Sequence, residues 1–188
     1  MFTVTVLSNG LTIVTSRLAS ARSSSIYLLI RAGSRYETDT DRGVGHFLEH
    51  MLFKGTDRRP SPEKLATVIE SVGGMLNAEA GKEATMLWAK VAARHLPLAV
   101  DLLADMVLNS RLAPDEVEKE RRVIVEELAA TLDEPGDLVD LRVEETLWGS
   151  QPVGWDVGGT PESVRTLRSS SPFHVSTTKN SSFRHPRP

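Results

Sequence analysis

Along most of the chain, apolar positions either alternate with polar ones or recur at helical spacing, and Gly and Pro mark the changes of period. Residues 3–7 and 11–16 are β-rich runs around Ser8, Asn9 and Gly10, which predicts a hairpin. Residues 25–31 (SIYLLIR) predict a buried strand ending at Gly33. A helix follows, with Asp41 as N-cap and Gly55 just past its end. In it Val44, Phe47, Leu48, Met51 and Leu52 form an i, i+3, i+4, i+7, i+8 stripe. Ser61 caps a second helix that begins at Pro62, runs to about Val72 and stops at Gly73 and Gly74. Residues 75–80 and 85–92 predict two strands joined by Gly81, Lys82 and Glu83. Residues 95–109 predict an amphipathic helix with Leu96, Val100, Leu103 and Val107 on one side. Pro114 and Asp115 open a long helix to about Leu132; Pro135 and Gly136 end it, and Asp137 starts another up to Trp148.

Strands come as neighbours and helices follow in runs, without βαβ alternation or internal repeats. That pattern predicts an α+β fold, a mainly antiparallel sheet covered by helices. Residues 169–188, rich in Ser, Thr and Pro with no sustained period, are expected to be disordered or foreign to a domain spanning residues 1–168. The 188 residues suit one domain with a real core, and 40% hydrophobic against 25% charged content marks a globular chain. A formal net charge of −3 supplies no basic field, so nucleic acid is not an expected partner. No apolar run approaches the ~20 residues of a membrane span, and MFTVTVLSNG lacks the regions of a signal peptide, so a cytoplasmic location is expected. With no cysteine, any transition metal must be held by His and carboxylates.

Candidate chemistry concentrates in GVGHFLEHMLFKGT, residues 43–56, where two of the five histidines stand four apart with a glutamate between them. At about 100° per residue from Val44, His46, Glu49 and His50 fall between roughly 140° and 240°, opposite the apolar stripe. One face is suited to a core, and the other lets both imidazoles reach one point. The bland alternative is two solvated histidines and a surface charge. Chance weakens it, because a random H-x-x-E-H is expected on the order of once in 100 such chains. The pattern inverts H-E-x-x-H: two imidazoles for zinc, and a carboxylate to take a proton from the zinc-bound water.

A catalytic zinc takes three protein ligands, so a third His, Asp or Glu must come from elsewhere. ERRVIVEE, residues 120–127, offers candidates. Glu126 has Arg122 at i−4, which suits a surface ion pair. Glu127 has Val123, Ile124, Ala130 and Thr131 around it, so it is expected to face inward and to need a counter-charge that a metal would supply. Glu120, seven residues earlier and about 20° away around the helix, suits either a hydrogen bond from a zinc-bound histidine or a solvated charge beside Arg121 and Arg122.

Taken together these residues resemble the inverted-zincin metallopeptidases, the family that includes pitrilysin, insulysin and the mitochondrial processing peptidase. LSNGLTIV resembles the family's opening strand pair, residues 43–56 its catalytic helix, GGMLNAEAGKEAT (residues 73–85) its substrate-binding edge strand, and ERRVIVEE its distal acidic motif; GGTPESV (residues 158–164) is also similar. The resemblance spans residues 7–167. It implies a zinc-dependent endopeptidase in which His46, His50 and Glu127 hold one Zn²⁺, Glu49 is the general base, and Glu120 supports a ligand. It also implies that Asn77, with Ala78, holds an extended peptide or unfolded-protein substrate by main-chain pairing. Manganese or cobalt would suit the same ligands. A metal that only staples helices is less favoured, because it leaves Glu49 without a task.

Two departures from the family pattern stand out. Members pair repeated α+β units around the substrate, and this chain has about one unit, so a second peptidase-like domain, a partner chain or self-association is implied. The pattern also breaks after Leu167, as in a truncated unit. The alternative function is therefore a binding or scaffold subunit without turnover, inactive without its second half.

Overall fold

The computed structural model describes residues 2–167; the expected tail, 169–188, lies outside the described residues. The described chain divides into a small unit, residues 2–21, and a larger one, residues 22–167. The small unit is a hairpin of β1 (Phe2–Val6) and β2 (Thr12–Ser16), paired antiparallel from Phe2↔Ser16 to Val6↔Thr12. Its turn closes where Leu7 N donates to Leu11 O and Gly10 N to Leu7 O, with Gly10 at φ +90°.

The larger unit contains an antiparallel sheet in the order β3 (Ser23–Ile30), β5 (Thr85–Ala92), β4 (Met75–Ala80). The α+β expectation holds. Alternation along β5 buries Thr85, Leu87, Ala89 and Val91, and these side chains meet the helices laid on that face. α2 (Pro62–Glu70) contributes Leu65 and Ile69, and α3 (Leu96–Leu108) contributes Ala99, Leu102, Leu103 and Met106. The buried face of α3 differs from the stripe read in sequence: Val100 is 46% exposed, whereas Asp105 is 2% exposed. The polar contacts of Asp105 explain the rotation. Its carboxylate accepts from Thr56 Oγ1 at 2.7 Å, from Asn109 Nδ2 at 2.9 Å and from Arg59, and because Thr56 is itself fully buried, this pairing holds Asp105 inward.

A second core forms on the other side of α1 (Val44–Leu52). Phe47 and Met51 pack with Val117, Ile124 and Leu128 of α4 (Pro114–Asp133) and with Val164 and Leu167 at α6 (Pro161–Thr166). Arg121 ties these parts by donating to the carbonyls of Val164 and Leu167. α1 is thus shared, with Leu52 in the sheet-side core and Phe47 and Met51 in the helical one. The Pro135-Gly136 pair does not separate two helices by a loop. Glu134 alone intervenes, and Pro135 is the first residue of α5 (Pro135–Trp148), where its missing N–H costs nothing. Among the described residues no helix is long and apolar enough to cross a membrane.

Arg58 grips Asp101 with two bonds of 2.9 and 3.0 Å, and Arg59 adds a third at 2.7 Å. These guanidinium bonds lower the Asp101 carboxyl from its ordinary 3.8 to about 2. A carboxyl depressed in the folded state stabilises the fold above its unfolded pKa, and the contribution fades as pH falls toward the folded one. The wild-type melting temperature should therefore fall as pH drops from about 4 to about 2, and Asp101→Asn should fall less over that window. Calorimetry at stepped pH checks this; parallel slopes for the two proteins would contradict it.

Candidate metal centre

The N-terminus of α1 is held by long-range contacts. Asp41, expected as the cap, instead accepts from Thr38, and the N-cap is Gly43 at φ +82°. Glu37 takes over the free amides: its carboxylate accepts from Gly43 N at 2.8 Å and Gly45 N at 2.9 Å. Burial pushes the Glu37 carboxyl above the usual range despite these two donors. Gly43 and Gly158–Gly159 touch backbone to backbone. A Cβ on Gly43 would overlap the Gly158 carbonyl oxygen, and one on Gly159 would lie 2.6 Å from the Arg42 oxygen. Ser163 Oγ adds a 2.8 Å bond to Arg42 O.

So held, α1 presents its third face to α4. His46 Nε2 and His50 Nε2 stand 3.2 Å apart, and Glu127 Oε2 lies 3.4 Å from His50 Nε2. One ligand atom from each of the three residues lies within 4.8 Å of the others. On its other side, His50 Nδ1 is 2.9 Å from Glu120 Oε2, whose second oxygen is 2.5 Å from Lys54 Nζ. A carboxylate can only accept, so His50 carries its proton on Nδ1 and turns Nε2 toward His46 and Glu127. Burial alone would raise the Glu120 carboxyl, but the bonds from Lys54 and His50 outweigh it and hold it below the usual range. Burial, and then the neighbouring His50, hold His46 below the usual histidine range against the pull of Glu49, Glu127 and Asp156.

Two imidazole nitrogens and a carboxylate oxygen this close need positive charge between them, either a proton or a metal ion. The spacing suits a metal: ligand atoms about 2.0–2.1 Å from a tetrahedral zinc stand about 3.3 Å from one another. Among the described residues His46 Nδ1 is buried without a hydrogen-bond partner, so the polar contacts of its ring are at Nε2, toward His50. The donor set, two imidazoles and a carboxylate, is one that zinc takes in catalytic sites.

Glu49 lies beside the cluster with its Oε2 accepting from Ala80 N at 2.6 Å. That amide belongs to the end of β4, one of the sheet's two edge strands. In a strand, alternate residues aim their N–H and C=O to the same side, so Ala78 shares the outer edge with Ala80. The Ala78 side chain is buried, whereas Asn77 is exposed, and both lie within β4 rather than in a turn. His46, Glu49, Glu79, Ala80, Glu127, Leu128, Thr131, Asp156, Val157 and Gly158 line a cleft of about 340 Å³. A larger cleft of about 510 Å³ runs between α4, α5 and residues 149–161, but it gathers no such set of imidazoles and acids.

The fold therefore brings His46, His50, Glu49, Glu120 and Glu127 together and sets Asn77 and Ala78 on the neighbouring strand. One placement differs from expectation. Glu127 does not face inward; its side chain is 48% exposed, because α4 buries Val117, Glu120, Ile124 and Leu128 and leaves Glu127 on the flank over the cleft. Of the two readings open for Glu120, the structure has the bond to His50: the residue is buried and paired with His50 and Lys54, not solvated beside Arg121 and Arg122. Sequence reasoning missed Glu37 and Asp156. Glu37 caps from outside any local capping spacing, and Asp156 enters through a loop. The glycine pair at 158–159 was the available signal for a close backbone approach.

The profile of the insulinase family, peptidase family M16, matches residues 12–160. The chain belongs to the insulinase family of peptidases. An uncharacterized zinc protease of Mycobacterium leprae is 45% identical over 173 residues, covering 91% of this chain and 39% of that relative. Pitrilysin has the same fold, with a TM-score of 0.74 at 27% identity over 87% of this chain and 18% of its own. So does an inactive M16 domain from Pseudomonas fluorescens, with a TM-score of 0.80 at 16% identity over 89% of this chain and 40% of its own. This M16 chain thus spans about two fifths of the length of the curated relatives it matches.

The contact of Gly43 with Gly158 makes a direct prediction. Gly43→Ala would force a side chain into the left-handed region and into a backbone oxygen. It should cost about 2 kcal/mol or more, read as a lowered denaturant midpoint. An unchanged midpoint would mean that α1 is not anchored there.

Proposed function

We propose that this chain is the catalytic unit of a zinc-dependent endopeptidase, with His46, His50 and Glu127 as metal ligands. The observation that carries the reading is the convergence of these three side chains on one point, beside a cleft lined by His46, Glu127, Glu49 and Ala80 of β4. The zinc proteases among its relatives support the choice of metal. When bound, the metal would acidify a water and polarise the substrate carbonyl.

The chain's own groups account for the remaining steps. An extended peptide pairs with the outer edge of β4, through Ala78 backbone groups and with Asn77 alongside, which sets its carbonyl over the cleft. Glu49 keeps one oxygen on Ala80 N, which fixes the carboxylate, and uses the other as base. It takes a proton from the attacking water as the new C–O bond forms. It then delivers that proton to the amide nitrogen as the C–N bond breaks. Glu120 holds the His50 ring through Nδ1, so the imidazole is oriented before metal arrives. The groups that would enclose the substrate from the opposite side come, in this reading, from a second peptidase-like domain or partner chain, consistent with the short span of the chain against its relatives. Residues 1–168 are proposed as the catalytic α+β domain.

A second reading, a binding or scaffold subunit without turnover, is supported by the inactive M16 domain among the fold neighbours. Glu49→Gln separates the two. It should retain the parental zinc content while chelator-sensitive cleavage of an unstructured peptide falls by about 10²-fold or more. Cleavage at the parental rate would remove Glu49 as base. A zinc-loaded wild-type protein that cleaves nothing, even with its complementary half, would favour the scaffold.

A further inference from the structure

We propose that Lys54 is a positioning residue of the metal centre, pinning one oxygen of Glu120 so that the other stays on His50 Nδ1. This rests on His46, His50 and Glu127 being the metal site, as proposed above. Lys54 lies four residues after His50, just past the end of α1, where its backbone N–H still bonds to Met51 O at 3.1 Å. Both reach a single carboxylate on α4. Lys54 Nζ lies 2.5 Å from Glu120 Oε1, and His50 Nδ1 lies 2.9 Å from Oε2. The Glu120 side chain is 7% exposed, so water cannot stand in freely for either donor.

The physical consequence concerns rotation. A buried carboxylate held at both oxygens by different donors cannot turn about its last bond. Held at one oxygen only, it leaves the other without a donor and can turn to trade one bond for another. His50 would then lose the fixed acceptor that orients its ring and assigns its proton to Nδ1. Lys54 is thus the far end of a clamp running from α1 to α4 and back to the ligand.

The sign of the effect on metal affinity tests this. If Lys54 acted merely as a nearby positive charge, removing it would tighten binding of a cation. If it positions Glu120, removing it loosens binding. Zinc dissociation constants, measured on the full chain by competition with a chromophoric chelator, should weaken about tenfold or more for Lys54→Met. Lys54→Arg, which keeps charge and donors, should stay within about threefold of wild type. In a Glu120→Gln background, Lys54→Met should change affinity by less than about twofold, because its partner is gone. Circular dichroism verifies folding. Should Lys54→Met not fold, Lys54→Gln takes its place, with an expected loss of at least about threefold. Affinity equal to or tighter than wild type in the single variant, or the same loss in both backgrounds, overturns the proposal. The two readings fail separately. If His50→Ala keeps the parental zinc affinity, the metal centre itself is wrong. If His50→Ala loses zinc and Lys54→Met does not, only the part given to Lys54 is wrong.

Discussion

Two imidazole nitrogens held 3.2 Å apart, with a carboxylate oxygen 3.4 Å from one of them, are the constraint on which the rest of this molecule depends. Such an arrangement is costly without a cation between the groups, and it persists only if the surrounding fold prevents the side chains from separating. Three fixtures do this. α1 is locked between two cores by Phe47 and Met51 on one side and Leu52 on the other. Its N-terminus is anchored by Glu37 and by the Gly43–Gly158 contact. Its last turn is tied to α4 through His50, Lys54 and Glu120.

The placement of Glu49 joins the cluster of His46, His50 and Glu127 to the sheet. An acid whose only task was to balance charge would have no need of an amide on β4. Because Glu49 accepts from Ala80 N, the carboxylate and the strand edge are fixed relative to each other. A peptide added to that edge would arrive in a set register against the Glu49 carboxylate, the proposed base. The exposed position of Glu127 complements this, since it leaves the cluster open on the cleft side while Glu120 closes the buried side.

Much of this was legible in the sequence wherever the interaction is local to one element. The 100° spacing separates Phe47 and Met51 from His46, Glu49 and His50, and the bounds of β4 follow from Gly74 and Gly81. The grouping of Glu120 with Glu127 follows from a seven-residue interval. Long-range contacts were not legible. The face of α3 is chosen by Asp105 meeting Thr56 and Arg59, residues more than forty positions away, and no local period announces that choice. Glu37 caps a helix from six and eight residues upstream, outside any capping motif. Glu127 was singled out on the expectation of burial. It sits on the flank instead, because the packing of α4, and not its neighbours in sequence, decides which turn is covered.

The most direct test of the account is the zinc stoichiometry of the purified chain, measured by elemental analysis after equilibration with zinc and removal of the excess. The account predicts one zinc per wild-type chain and almost none for Glu127→Ala or His46→Ala that remain folded. A folded wild-type chain that retains no zinc, or a Glu127→Ala variant that retains the full amount, would contradict it.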